Sequence, residues 1–327
     1  MAADDVRSTL ILSASEVKQL LSMGEVIKAV EGAFRACGEG MLEMTPKSYV
    51  KAGDGDFRAM PACMADAASL KWVNSHPVNR TRGLPTVMAV LIYSDPRTGF
   101  PLAVMDATEI TAFRTGATAA VASRYLARKD SRTLGLVGAG KQAHSQLLAH
   151  MEVFDLELVR VYDVRAEATE RFVASFPQVD VQGCSLEDTM SSDIVCTLTP
   201  AREPIIRRDW VLSGTHINAV GADAKGKQEL DPAILNDAIV VVDDLHQAAS
   251  GGEINVALAE GLFTVEQVHG TLAQIVTGQK EGRVSEDAIT VLDSTGIALE
   301  DLAAARLVYQ KACTAGRGLA VELVSLS

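Results

Sequence analysis

Apolar residues recur along this chain with two different periods, and the change between them divides it. Thr9 to Leu12 is a short apolar run, followed by Ser13-Ala14-Ser15-Glu16. A serine cap with an acid in the first turn predicts a helix starting near Ser15. From Met23 to Ala36 apolar residues return at helical spacing (Val26, Ile27, Val30, Ala33, Phe34) up to Gly38, a helix terminator. Ser48 to Val50, Phe57 to Met60 and Leu70 to Asn74 read as short strands. Thr86 to Tyr93 and Pro101 to Met105 read as a hairpin around Asp95-Pro96-Arg97-Thr98-Gly99. This first third is strand-rich and antiparallel in style.

After Asp106 the pattern changes. Thr108 to Arg128 is helical and dense in alanine, which suits close packing. From Thr133 strands and helices alternate: strand Thr133 to Val137, helix Lys141 to Phe154, strand Leu158 to Tyr162, helix Ala166 to Phe176. Further strands fit Ile194 to Leu198, His216 to Val220, Ala238 to Val242 and Thr290 to Leu292. Such alternation predicts a parallel sheet with helices on both faces. The expected fold class is therefore α/β, a doubly wound sheet plus a strand-rich α+β part. A last helix, Leu299 to Lys311, is placed to return the chain to that first part.

Composition narrows the class of function. The chain has 327 residues, 48% hydrophobic and 22% charged, an ordinary globular balance with room for two cores. Its formal charge of -12 and its lack of any basic run longer than two residues argue against a nucleic-acid partner. The five cysteines are dispersed, with no C-x-x-C and no metal-ligand spacing, and so read as reduced thiols. No apolar run approaches a membrane span, and the first residues do not read as a signal peptide. The expectation is a soluble, cytoplasmic protein with no membrane partner and no bound metal.

One motif carries chemistry by itself. The strand Thr133 to Val137 runs into Gly138-Ala139-Gly140-Lys141-Gln142-Ala143 and then a helix. The first glycine permits a tight turn, and the second lets backbone N–H groups approach a pyrophosphate. The small Ala143 allows helix and strand to pack closely. The second strand ends at Asp163, about twenty residues on, where a carboxylate meets the ribose hydroxyls of NAD and repels the extra phosphate of NADP. Arg165, just beyond, leaves the choice against NADP less strict. Lys141, Gln142, Val164 and Arg165 complete the expected cofactor-binding set of this Rossmann-type half.

The flanking segments are more specific. Met60-Pro61, Leu70-Lys71-Trp72-Val73-Asn74-Ser75-His76-Pro77, Val104 to Thr108 and Thr111-Ala112-Phe113-Arg114-Thr115-Gly116-Ala117 resemble the ornithine cyclodeaminase/μ-crystallin family. So do His216 to Asp223, Gly226-Lys227-Gln228-Glu229-Leu230 and Asp293-Ser294-Thr295-Gly296. The likeness runs in order along nearly the whole chain. Gly251-Gly252-Glu253-Ile254-Asn255 and Leu84 to Ala89 point within the family to the archaeal-type alanine dehydrogenases. The resemblance implies a homodimer, a dimerisation and substrate domain from residues 1–113 and 307–327, and a Rossmann NAD-binding domain from 114–306. It also implies an active site in the cleft between domains.

It further implies roles. Lys47, Lys71 and Arg114 stand at the family's carboxylate-binding positions, and Arg114 has the fork that grips a carboxylate. Lys47 departs from the arginine that ornithine cyclodeaminases carry there. Lys71, between Leu70 and Trp72, fits equally a surface lysine lying on Trp72 from its pattern alone; the resemblance assigns it to the substrate carboxylate and to acid/base chemistry. Asp223, beyond the strand His216 to Val220, would face the substrate amine and activate water. Arg114 and Thr115 would touch the cofactor phosphates. Thr197, Thr199, Val220, Gly221, Ser294, Thr295 and Gly296 would line the cofactor pocket, though strand-end punctuation explains them as well. His76, His144 and His246 read as structural or exposed.

The substrate is read from one position. Cyclodeaminases place an acid for the distal amine of ornithine two residues before Met-Pro, and here Arg58 stands there. A cation repels that ammonium and suits a small carboxylate. The expected reaction is NAD-dependent oxidative deamination of L-alanine to pyruvate and ammonia, and its reverse. The alternatives are ornithine cyclodeamination, reduction of a cyclic imine or ketimine, and a non-enzymatic μ-crystallin-like binding protein.

Overall fold

A computed structural model describes residues 8–325. They form two compact units, one up to Arg114 and again from Ile297 on, the other Thr115–Gly296. The first crossing thus follows Arg114 rather than residue 113. The return comes at Ile297 rather than 307, because the last long helix packs whole against first-unit strands and helices.

In chain order the first unit holds β1 (Thr9–Leu12), α1 (Ala14–Leu20), α2 (Met23–Gly38), β2 (Leu42–Met44), β3 (Ser48–Ala52), β4 (Gly55–Met64), β5 (Ala67–Ser75), β6 (Val87–Ser94) and β7 (Pro101–Asp106). Helix α3 (Thr108–Leu126) carries the chain into the second unit. There follow β8 (Thr133–Val137), α4 (Lys141–Met151), β9 (Leu158–Tyr162), α5 (Ala166–Ala174), β10 (Val181–Gly183), α6 (Leu186–Met190), β11 (Ile194–Thr197) and β12 (His216–Ala219). Next come α7 (Pro232–Asp237), β13 (Ile239–Val242), α8 (Leu245–Gly251), α9 (Ile254–Ala259), β14 (Val268–Thr271), α10 (Leu272–Val276) and β15 (Thr290–Asp293). The chain ends in the first unit with α11 (Ala298–Ala315) and β16 (Leu319–Val321).

The first-unit sheet runs β16-β1-β7-β6-β5-β4-β2, with β3 paired to β4. All its pairs are antiparallel except β1 with β7. Helix α2 buries Met23, Val26, Ile27, Val30, Ala33 and Phe34, the stripe its spacing predicts. It packs on α11, which in turn lies against β4, β5 and β6. Ser13 caps α1 reciprocally with Glu16, its N–H donating to the Glu16 carboxylate at 2.9 Å.

The second-unit sheet is parallel throughout, in the order β10-β9-β8-β11-β12-β15-β13-β14. Its central strands β11, β12 and β15 are buried at every residue, as expected of strands covered on both faces. From β8 the chain winds outward through β9 and β10, then returns to β11 on the other side. The switch point of the sheet lies between β8 and β11, where open α/β sheets bind ligands beyond the strand ends. The alanine-rich helix packs as closely as its composition suggests: a Cβ on Gly116 would lie 2.4 Å from the Ser145 carbonyl oxygen of α4. Among the described residues no helix is long and apolar enough to cross a membrane.

Candidate active site

The nucleotide end is built at the switch point. Gly138 follows β8 at φ +107°, a conformation open to glycine, and its N–H donates to the Tyr162 carbonyl at 2.7 Å. Gly140 stands at the N-terminal cap of α4 and, having no side chain, places no cap acceptor over the helix start. A Cβ built on Gly140 meets no atom within 4 Å, so no protein neighbour requires glycine there. Open space above a helix N-terminus is what a pyrophosphate needs. Ala143, in the first turn of α4, is fully buried, as close helix–strand packing requires.

Asp163, at the end of β9, accepts from the Ala139 N–H at 3.0 Å through one oxygen and from the Arg165 N–H at 3.0 Å through the other. Burial pushes its pKa up, but these backbone N–H groups outweigh that and hold the carboxylate below the usual range. The acid therefore braces the phosphate loop from within the chain while staying ionised. Val164 beside it is 85% exposed, and Arg165 pairs with Asp163 at 3.4 Å. The residues present fit a dinucleotide: a glycine turn, an open helix terminus and an ionised acid at the second strand.

The loops after β11 and β12 meet on a residue that the sequence reading missed. Glu229, fully buried, accepts from the Thr197 hydroxyl at 2.6 Å, the Thr199 N–H and hydroxyl at 2.7 Å each, and the Gly221 N–H at 3.0 Å. Thr197 itself is fully buried, so its hydroxyl supports the loop from behind. The backbone N–H groups of Glu229 and Leu230 donate in turn to buried Glu253 at 2.8 and 2.7 Å. Burial, joined by the charge of Glu229, pushes Glu253 well above the usual carboxylate range. Asp243 similarly gathers the Thr295 hydroxyl at 3.1 Å and the Gly296 N–H at 2.7 Å, with the Ser294 hydroxyl at 3.4 Å. Val220 donates its N–H to the Thr197 carbonyl at 3.0 Å. Asp223 is half-buried two residues after Gly221, its Oδ1 2.5 Å from Lys227 Nζ. Among the described residues no group of three His, Cys, Asp or Glu side chains could hold a metal ion.

In the first unit, cations gather on one sheet face. Strand β5 turns Leu70 and Trp72 outward and Lys71 inward, 1% exposed, the reverse of a lysine lying on Trp72 at the surface. Lys71 Nζ sits 2.7 Å from Asp301 Oδ2 and 3.4 Å from the Thr111 hydroxyl. Arg114 of α3 donates through Nε to Asp301 Oδ1 at 3.1 Å and through Nη1 to Glu300 at 2.5 Å. Burial pulls the Lys71 ammonium down to about 7, with Arg114 and Lys47 pulling the same way and Asp301 opposing. Lys47 lies half-buried on the loop before β3. Arg58 lies buried on the same face of β4 as Met60, whose register partner is Lys71. It pairs with Asp56 at 2.7 Å and covers the Tyr49 ring.

Thus Lys71 and Arg114 come together, with Lys47 and Arg58 on the same side of the unit. Asp223 and the nucleotide loop belong to the second unit, and Thr115 begins it. Asp56, Lys227, Glu229, Asp243, Glu300 and Asp301 escaped sequence reasoning. Only the last two carried a signal, two adjacent acids in an otherwise apolar stretch, Ile297 to Ala305.

The sequence model of the ornithine cyclodeaminase/mu-crystallin family matches residues 7–316. The chain belongs to this family. It is 49% identical over 316 residues to an alanine dehydrogenase of Archaeoglobus fulgidus, covering 96% of this chain and 98% of that one. Among solved structures it is similar to an archaeal alanine dehydrogenase dimer with bound NAD, at TM-score 0.95 and 48% identity, covering 97% of this chain and all of the other. It is also similar to the Δ1-pyrroline-2-carboxylate reductase of Thermococcus litoralis in complex with NADH and L-proline, at TM-score 0.93 and 37% identity, covering 96% of this chain and 100% of that one. The family and the α/β fold expected from the sequence are therefore established.

Proposed function

We propose that this family member is an NAD-dependent amino-acid dehydrogenase that interconverts L-alanine with pyruvate and ammonium. The observation that carries the reading is the inward cation pair Lys71 and Arg114, joined on the same sheet by Arg58 where a diamino-acid substrate would need an acid. The likeness to alanine dehydrogenases over the full chain supports it.

L-Alanine, water and NAD give pyruvate, ammonium and NADH, with one proton released. When bound, NAD supplies the acceptor for the two-electron Cα hydride. The chain must do the rest. Lys71 and Arg114 hold the α-carboxylate and so fix the Cα–H direction. Lys71, with its ammonium brought to about 7, can hold or release a proton at Nζ near neutral pH. We assign Asp223 to the substrate amine and to the attacking water, with Lys227 paired to its carboxylate. Gly138, Ala139, Gly140, Lys141 and Gln142 would take the pyrophosphate and Asp163 the ribose. Glu229 and Asp243 would keep the loops around the nicotinamide in place.

The same unit suits a homodimer. Leu70 lies opposite Ile92, and Trp72 opposite Val90, on a sheet face where all four are 37–49% exposed. An apolar face of this kind calls for a partner, and a second copy matches the dimeric relative. The cysteines are all thiols, which suits a reducing cytoplasm. The test is NADH formation followed spectrophotometrically with NAD and L-alanine at alkaline pH. A steady alanine-dependent rate supports the reading; proline formation from ornithine with no net NADH overturns it.

A further inference from the structure

We propose that Asp301, backed by Glu300, is a positioning residue that presets Lys71 and Arg114 to receive the substrate carboxylate. This deepens, and rests on, the reading that those two cations bind it. Glu300 and Asp301 are consecutive, fully buried acids in the first turn of α11, whose other buried residues are alanine, leucine and valine. Burying a carboxylate is costly unless it is paired and hydrogen-bonded. Both are. Asp301 gives one oxygen to each cation, and Glu300 divides its oxygens between Arg114 and the Ile297 N–H at 3.2 Å.

A plain cross-brace between α11 and the sheet needs one ion pair. Here a single carboxylate stands between two cations that otherwise repel each other and holds them close together. Holding Arg114 by both Nε and Nη1 fixes the plane of its guanidinium. Lys71 donates to the Thr111 hydroxyl at 3.4 Å, and its ion pair with Asp301 Oδ2 at 2.7 Å is a charge contact, that oxygen accepting no hydrogen bond. The charged groups that bear on Lys71 are Asp301 of α11, Arg114 of α3, itself paired with Glu300, and Lys47 before β3. Of these, Asp301 is the one that contacts Nζ and favours its protonated form. A second carboxylate arriving from the substrate favours that form again, so binding couples to the Lys71 proton.

The test compares Asp301→Asn, Asp301→Glu and Glu300→Gln in the full chain. Steady-state rates are taken with pyruvate, ammonium and NADH across the neutral pH range, and NADH affinity is read by fluorescence. For Asp301→Asn we expect unchanged NADH affinity and a KM for pyruvate raised about tenfold, as one charge-assisted contact is lost. The Lys71 limb of the pH profile should move down by about one to three pH units, the usual effect of losing a touching opposite charge. Asp301→Glu should restore the limb in part, and Glu300→Gln should leave it in place. An unmoved limb and KM in Asp301→Asn, with NADH bound normally, overturns the proposal.

If Asp301→Asn fails to fold, Lys71→Met and the double variant Lys71→Met/Asp301→Asn decide. Because Asp301 also holds Arg114, a KM raised further in the double variant supports the proposal; equal KM values, with NADH bound normally, contradict it. Absence of pyruvate turnover by the unmutated chain overturns only the substrate reading. The positioning claim is then read on oxamate, a non-reducible carboxylate, whose binding should weaken as pH rises through the Lys71 limb. Binding that does not change with pH contradicts it.

Discussion

Glu229 Oε1 accepts from both the backbone N–H and the hydroxyl of Thr199, each at 2.7 Å. Its other oxygen takes the Thr197 hydroxyl and the Gly221 N–H, so one carboxylate ties the loops after β11 and β12. Removing it leaves four buried or half-buried donors without their acceptor. Glu229→Ala should lower stability by about 3 kcal/mol or more. In a unit of this size that is a fall in Tm of roughly 6–12 °C. NADH binding should weaken as well, because both loops face the nucleotide end. Scanning calorimetry with Tm unmoved would contradict this account of the loop.

Gly140 supplies the complementary case. Its added Cβ touches no protein atom, so Gly140→Ala should leave Tm unchanged. NADH affinity should still fall by about tenfold or more, because the methyl group occupies the approach of the pyrophosphate. Fluorescence titration and a melting curve on the same sample check both halves. Normal NADH affinity in Gly140→Ala would remove this glycine from the nucleotide site.

These contrasts also show what the sequence could and could not reveal. Strands β8 and β9 were legible to the residue, because five-residue, mostly apolar runs bounded by a glycine loop and by Asp163 leave little choice of end. Helix α2 was legible from its buried stripe. Strands β2, β10, β14 and β16, of three or four residues each, are too short to show a period, and their pairing is set by neighbours distant in sequence. Lys71 was ambiguous because alternation alone does not say which face of β5 is buried. Trp72 and Leu70 on the outer face invert the usual expectation. Glu229, Asp243 and Asp301 were hidden for another reason. Each acts on residues tens to more than two hundred positions away, and no local pattern marks such an acid.

Two buried histidines give the second unit a pH dependence. His150 contacts the Ser123 hydroxyl and the Gln146 carbonyl; His216 contacts Thr290 and Asn218. Burial pulls their imidazoles down to about 4 and about 3. The unfolded chain takes up both protons near pH 6.5, while the folded chain holds the rings neutral until far lower. Their contribution is therefore whole above about pH 6.5 and is lost as pH falls through that value toward 4 and 3. Urea unfolding should show stability falling across this window by about 3 kcal/mol for His150 and about 5 kcal/mol for His216. His216→Asn should flatten that slope. An equal slope in the variant would show that the ring titrates freely in the folded chain.

The central claim is that the cations of the first unit serve a small keto acid rather than a cyclic imine or a diamino acid. The most direct measurement compares kcat/KM for NADH oxidation with pyruvate plus ammonium against that with Δ1-pyrroline-2-carboxylate, alongside a proline assay with L-ornithine and NAD. The account predicts a preference of about tenfold or more for the pyruvate pair, and no proline from ornithine. A higher kcat/KM for the cyclic imine, or proline accumulating without net NADH, would contradict it.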